Sequence, residues 1–176
     1  FTIATTQSDI DFEREKSAGE DIKEGIPIRR FSDAYLETLA VYRKIADCLL
    51  SCNTLLFHGS VIAVDGEGYL FTAKSGTGKS THTRLWREYF GERAVMVNDD
   101  KPLLRITDSG VTAYGTPWDG KHRLSTNTAV PLKGICILTR DTTNHIEPAE
   151  PHAVYPLIVQ QTNRSLSADG MKQTLS

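Results

Sequence analysis

The stretch that decides the fold is GYLFTAKSGTGKSTHTRLWREYF, from Gly68 to Phe90. Its first residues are of the aromatic and β-branched types that favour strands, which predicts a strand. The apolar spacing from Lys79 to Phe90 predicts a helix that ends at Gly91. The apolar side of this helix is expected to carry Leu85, Trp86 and Tyr89, with Trp86 in the core. A glycine-rich turn between a strand and a helix is typical of loops that bind phosphate groups.

Residues 73–80, AKSGTGKS, match the phosphate-loop pattern with Ala73 in place of the first glycine. Glycines let the backbone N–H groups turn inward, a lysine reaches the β- and γ-phosphates, and a serine hydroxyl can join a Mg²⁺ shell. The pattern predicts nucleotide contacts from Ser75, Gly76, Thr77, Gly78, Lys79, Ser80 and Thr81. The expected ligands are ATP, with GTP possible, and Mg²⁺. The alternative is a tight glycine turn that binds no ligand.

A second motif is the pair of carboxylates Asp99 and Asp100, which follows the apolar run RAVMV and Asn98. A carboxylate at the end of a buried strand near a phosphate loop can hold Mg²⁺, and an adjacent one can take a proton from an attacking hydroxyl. The alternative is a polar strand end that closes in a turn.

The rest of the chain predicts an α/β domain with a mixed sheet. Apolar runs at 55–64 and 68–73 flank Asp65-Gly66, and runs at 102–106 and 111–115 flank a second turn, so both pairs predict hairpins. Residues 134–139 predict a strand, and helices are expected after the N-cap Ser32 and over 151–161. Residues 1–30 are expected to form an edge strand and a polar connection. Residues 31–176 are expected to form one domain.

Composition limits the classes of partner. The 176 residues carry a net charge of −2, and no segment concentrates basic residues, so nucleic acid is not expected. No apolar run is long enough for a membrane span. Three cysteines without pairing or ligand spacing favour a reducing, cytoplasmic location, and Cys48 and Cys52 are expected to pack in the core. Because the first residue is Phe1, we expect a fragment of a longer chain; a homo-oligomer is possible.

The segment FHGSVIAVDGEGYLFTAKSGTGKS, followed by VNDD, resembles the catalytic domain of HPr kinase/phosphorylase. That fold is related to the nucleotide-binding domain of phosphoenolpyruvate carboxykinases. The resemblance covers roughly residues 55–140 and implies a Mg²⁺-dependent kinase that transfers the γ-phosphate of ATP to a hydroxyl. It implies that Asp99 is the general base, supported by His58, and that Asp100 and Ser80 hold the metal. Lys79 would act on the transferred phosphoryl group.

The acceptor is the least determined part of this prediction. Where the bacterial HPr kinases carry a glycine-rich segment, this chain reads YGTPWDGKHRLS, so the acceptor could be a serine of a protein, a peptide or a small molecule. Trp118, Lys121 and Arg123 are the predicted acceptor contacts, and the alternative is a solvated basic turn with a core tryptophan. Arg140 is expected to be a surface cation. The alternative function is a nucleotide-binding regulatory module with weak catalysis.

Overall fold

The computed structural model describes residues 1–74, 76–120 and 122–175, and the side chain of Glu24 is not described. The predictions for Ser75 and Lys121 therefore lie outside the described residues. Two compact units divide the chain, Phe1–Cys48 and Leu49–Ser176. None of the helices in the described ranges is long and apolar enough to cross a membrane.

The first unit contains two helices, α1 (Gln7–Glu24) and α2 (Asp33–Leu49). The predicted edge strand and polar connection over residues 1–30 are wrong, because most of this segment is α1. Thr6 and Asp9 form a capping box at its start, and Gly25 ends it in the left-handed conformation at φ 68°. These local signals satisfy the free backbone groups at both helix ends.

Ion pairs rather than an apolar stripe stabilise α1. Arg43 Nε donates to Glu13 Oε1 at 2.6 Å, and Lys44 Nζ donates to Asp9 Oδ2 at 2.7 Å. Asp21 is fully buried, and hydrogen bonds from Arg29 hold the pKa of its carboxyl below the usual value. Apolar periodicity could not find this helix, because the side chains that it buries are carboxylates.

Helix α2 begins as predicted, since the Ser32 hydroxyl accepts the backbone N–H of Tyr35 at 3.3 Å. The buried positions are Leu36, Ala40, Tyr42 and Ala46, whereas Tyr35 is 46% exposed. Cys52 is exposed, so the expectation that it packs in the core is wrong. It lies in a 3₁₀ turn, Leu50–Cys52, after the end of α2 and therefore leaves the helical repeat.

The second unit is built on one mixed sheet with the strand order β1-β5-β6-β7-β3-β2-β4. Among the described residues, β3 and β7 are the one parallel pair of neighbours. The α/β class is therefore confirmed. The strands are β1 (Thr54–Leu56), β2 (Ser60–Val64), β3 (Glu67–Thr72), β4 (Ala94–Asn98), β5 (Leu103–Thr107), β6 (Gly110–Tyr114) and β7 (Ala129–Ile137). The helices are α3 (Lys79–Phe90), α4 (Pro151–Gln161) and α5 (Ala168–Leu175).

Both predicted hairpins, α3 and α4 are confirmed, but the run 55–64 is not one strand. It divides at His58 and Gly59, so that β1 pairs with β5 while β2 pairs with β3 and β4. An ideal Cβ on Gly59 would lie 3.1 Å from Leu70 Cδ2 and 3.1 Å from the Phe71 carbonyl oxygen. This close approach requires a residue without a side chain where the chain changes partners.

Helix α3 covers one apolar cluster of the sheet, made of Ile62, Phe71 and Met96. Trp86 packs against this cluster, as predicted, with its ring 5.1 Å from the Phe71 ring. Leu85 and Tyr89 do not join it, since they are 50% and 83% exposed. Leu85 and Tyr89 lie four residues apart on the helix face next to the one that packs on the sheet. The predicted apolar face therefore differs from the observed one by one residue.

The strand directions bring the ends of several strands to one edge of the sheet. Strand β7 is parallel to β3, and β3 and β4 are both antiparallel to β2. The carboxyl ends of β3, β4 and β7 therefore share an edge with the first residue of β2, Ser60. In open α/β sheets, this carboxyl edge is the usual place for a ligand site.

Candidate functional site

The predicted phosphate loop leaves β3 at this carboxyl edge and enters α3. Gly76 and Gly78 have φ values of 75° and 121°, and an ideal Cβ at either would meet open space. Glycine is therefore favoured by backbone conformation rather than by crowding. The Thr77 N–H donates to the Lys74 carbonyl at 3.2 Å, and the His82 N–H donates to the Gly78 carbonyl at 2.9 Å, which starts α3.

Lys79 is the first residue of α3 and points its ammonium group back across the loop. Its Nζ donates to the Ala73 carbonyl at 3.1 Å. Burial lowers the pKa of Lys79, and the negative charges of Asp100 and Asp99 act in the opposite direction. The lysine and both predicted carboxylates are therefore close enough to interact electrostatically.

Asn98 fixes the turn that carries the two carboxylates. Its fully buried side chain accepts the backbone N–H groups of Asp100 at 2.9 Å and Lys101 at 2.6 Å through Oδ1. Its Nδ2 donates to Thr116 Oγ1 at 3.0 Å, and that hydroxyl donates to the Lys101 carbonyl at 2.9 Å. The amide thus joins the end of β4 to the segment after β6.

Asp99 is 6% exposed and has one carboxylate oxygen engaged by the protein. Its Oδ1 accepts a hydrogen bond from the buried Ser60 hydroxyl at 2.8 Å. Within the described ranges, nothing donates to Oδ2, and an ideal Cβ on Gly120 would lie 3.0 Å from it. Among the described residues, the second oxygen therefore has no hydrogen-bond donor, and it lies close to the backbone of Gly120.

Asp100 has a different environment from its neighbour. Its Oδ2 pairs with Lys101, and its Oδ1 lies 3.4 Å from His58 Nε2. Burial raises the pKa of Asp100, but the hydrogen bond from His58 and the charge of Lys101 outweigh burial and hold it at about 2. Asp100 is therefore ionised at neutral pH, as a metal ligand must be.

His58 lies beside Asp100 and is positioned by the end of α4. Its Nδ1 is 2.9 Å from Gln161 Oε1, and its backbone N–H donates to the Gln161 carbonyl at 2.7 Å. Gln161 and Asp100 therefore face the two ring nitrogens and hold the imidazole between the end of α4 and the carboxylate turn. The predicted partner of His58 was Asp99, but its carboxylate contact is with Asp100.

Two cavities lie on either side of the loop. The first, here the α3 cavity, has a volume of about 460 Å³ and is lined by Ser80, Thr81, Thr83, Arg84, Arg87, Met96, Asp99, His122 and Leu124. The second, here the β7 cavity, has about 320 Å³ and is lined by Thr72, Ala73, Lys74, Thr77, Ile137, Leu138, Thr139, Arg140, Leu157 and Gln161. Predicted loop residues line both cavities, and the carboxylate of the predicted base borders the first.

The predicted acceptor loop reaches the α3 cavity, although neither of the two predicted contacts that the structure describes lines it. His122 and Leu124 line it, whereas Trp118 and Arg123 line neither cavity. Arg123 is exposed and has a φ of 47° in a turn closed by its N–H and the Gly120 carbonyl, 3.1 Å apart. His122 belongs to the same aromatic and basic segment, and the segment lines the cavity through this residue.

Several residues of the site had no clear signal in the sequence. Arg140 is exposed, as expected, and it also donates from Nη2 to the Gly76 carbonyl of the predicted phosphate loop at 2.8 Å. Ser60 and Gln161 also escaped prediction, because each meets its partner across the sheet edge. Only the knowledge that β7 runs parallel to β3 would have placed Arg140 beside the loop.

Comparison with known protein families and with curated proteins gives no match to this sequence. Within the described ranges, no three or more His, Cys, Asp or Glu side chains cluster in a way that could hold a metal alone.

Proposed function

We propose that the chain is a Mg²⁺-dependent phosphotransferase that moves the γ-phosphate of ATP to a hydroxyl group, with a fold similar to those of HPr kinase/phosphorylase and the phosphoenolpyruvate carboxykinases. The observation that carries the proposal is the environment of Asp99. A nearly buried carboxylate, one oxygen of which has no donor among the described residues, borders the same cavity as Ser80, at the start of α3. A glycine turn alone would not require a carboxylate there.

The residues present suit a magnesium ion that is shared with nucleotide phosphates. Mg²⁺ usually takes one or two carboxylates from the protein and completes its shell with water and phosphate oxygens. Ser80 and Asp100 would hold the ion, which would offset charge on the β- and γ-phosphates. The ionised state of Asp100 fits this role, and the absence of a larger acidic cluster in the described residues agrees with it.

In the proposed reaction, the acceptor oxygen forms a bond to the γ-phosphorus as the bond from that phosphorus to the β–γ bridging oxygen breaks, releasing ADP. The hydroxyl proton passes to Asp99 Oδ2, while Ser60 holds Oδ1. The Lys79 ammonium stabilises negative charge on the moving phosphoryl group. His58 orients Asp100 and is a positioning residue, because its carboxylate contact is with Asp100.

The β7 cavity suits the nucleoside part of ATP. Ile137, Leu138 and Leu157 give it apolar walls, and the guanidinium of Arg140 lies over the loop at Gly76. An apolar slot with a few polar groups is typical of sites that bind a planar ring. With the nucleoside in the β7 cavity, the γ-phosphate would face the α3 cavity, which Asp99 lines and in which the acceptor would bind.

The alternative function, a nucleotide-binding regulatory module, would keep binding and lose turnover. The test incubates the protein with Mg²⁺ and γ-labelled ATP and follows label in phosphate and in added hydroxyl compounds. We expect slow hydrolysis without an acceptor and transfer with a suitable one, both lost in Asp99→Asn. Tight binding with no turnover above that of Asp99→Asn would favour the regulatory module. No binding would contradict both functions.

A further inference from the structure

We propose that the acceptor carries an anionic group, a carboxylate or a phosphate, separated from its hydroxyl by an apolar spacer. This inference rests on the proposed function, because it takes the α3 cavity as the acceptor site. Arg84, Arg87 and His122 line that cavity together with Asp99, and none of the three is needed to bind a neutral alcohol.

The charge of Arg87 is the first argument. Arg84 forms an ion pair with Glu88, with the two side chains 56% and 57% exposed. Arg87 is half-buried, and no described residue donates to, accepts from or forms an ion pair with its guanidinium. A guanidinium without a counter-ion at a cavity can take an anion there, and its planar fork matches a carboxylate or a phosphate.

The spacing along α3 is the second argument. Ser80, Arg84 and Arg87 are four and three residues apart, so they share one face of the helix. At 1.5 Å per residue, Arg84 and Arg87 lie about 6 and 10 Å along the axis from Ser80. Phosphates held by the loop at the start of α3 would be a turn or more away from Arg87. Arg87 is therefore the cavity arginine farthest from the predicted phosphate site, and we assign it to a different anion.

The polarity of the cavity sets the orientation of the acceptor. The Asp99 carboxylate repels an anion, so the hydroxyl would lie at Asp99 and the anionic group at Arg87. Met96 and Leu124 add apolar side chains to the lining. A chain of carbon atoms between the hydroxyl and the anionic group would contact these apolar side chains.

A series of ω-hydroxy carboxylates of increasing length tests the inference. Each is titrated calorimetrically into protein saturated with Mg²⁺ and a non-hydrolysable ATP analogue, with hexanediol as the neutral match for ω-hydroxyhexanoate. One charge-assisted contact predicts that ω-hydroxyhexanoate binds about tenfold or more tighter than hexanediol and than the short glycolate. The ω-hydroxyhexyl phosphate ester, tested in parallel, shows whether carboxylate or phosphate is preferred.

Arg87→Gln should abolish the preference for the anionic compounds, and Arg87→Lys should keep part of it. Arg105→Gln is the matched control, since Arg105 is an exposed arginine on β5 that lines neither cavity. Equal affinity for charged and neutral compounds, or a preference that survives Arg87→Gln, would overturn the inference. Tenfold weaker binding of the analogue itself to Arg87→Gln would also overturn it, by assigning the arginine to the nucleotide. Failure of the wild-type protein to bind the analogue would instead contradict the proposed function.

Discussion

Replacing Asn98 with alanine would remove the side chain that holds Asp99 and Asp100 in place. Its four shortest hydrogen bonds are lost, two accepted from the backbone N–H groups of Asp100 and Lys101 and two donated to the hydroxyl and carbonyl of Thr116. At 0.5–1.5 kcal/mol each, and with water replacing some of them, Asn98→Ala should cost about 2–4 kcal/mol. For a chain of this size, that lowers the unfolding temperature by about 5–15 °C.

The assay combines thermal unfolding with the rate of γ-phosphate release at a temperature where the variant is folded. A misplaced carboxylate turn should reduce the rate per folded molecule about 10²-fold. Thr126→Val is the matched control, because it removes one hydrogen bond to the Met96 carbonyl at 2.8 Å without touching the turn. Its rate should stay unchanged. An Asn98→Ala variant that is destabilised but equally fast per folded molecule would refute the positioning role.

Asp99→Asn should slow transfer about 10²-fold or more, with the affinity for Mg-ATP unchanged. Asp100→Asn should instead raise the Mg²⁺ concentration needed for half-maximal rate. The reverse pattern would assign the metal to Asp99. The folded pKa of Asp100, about 2, lies below its ordinary value of 3.8, so its ionisation adds about 2 kcal/mol of stability above about pH 4, which is lost as the pH falls toward 2. Urea unfolding should therefore show a smaller gap between wild type and Asp100→Asn near pH 2 than near pH 6, and an unchanged gap would contradict the shift. Trp118→Ala should leave the KM of an acceptor unchanged, since Trp118 lines neither cavity, and should lower stability by about 1–2 kcal/mol. A raised KM at unchanged melting temperature would restore Trp118 as an acceptor contact.

The elements with strong local signals could be predicted from the sequence. Asp65 and Gly66 have φ values of 52° and 85°, the conformation that a two-residue hairpin turn of this composition favours, and the hairpin forms there. Helix α3 has the predicted bounds. Helix α1 could not be found, because Glu13 and Asp21 occupy buried positions where the pattern requires apolar residues. Their arginine partners are distant in sequence or lie beyond the helix.

The site was predictable where its residues lie within one strand–loop–helix segment. The glycine turn, Lys79 and the strand-end carboxylates follow from local pattern. The partners of those carboxylates do not, because they depend on how strands are ordered in the sheet. Ser60 meets Asp99 across 39 positions, and Gln161 meets His58 across 103. Such pairs have no sequence periodicity, and only the topology brings them together.

The most direct test of the account is calorimetric titration of ATP into the wild-type protein and Lys79→Ala, with and without Mg²⁺. Lys133→Ala is the control, because Lys133 pairs with the exposed Glu67 on the sheet surface. The account predicts Mg²⁺-dependent binding to the wild type and the control. It predicts affinity at least about tenfold weaker for Lys79→Ala at a similar unfolding temperature, since one charge-assisted contact is lost. Equal affinity of wild type and Lys79→Ala, or no binding by either, would contradict the assignment of a phosphate-binding loop.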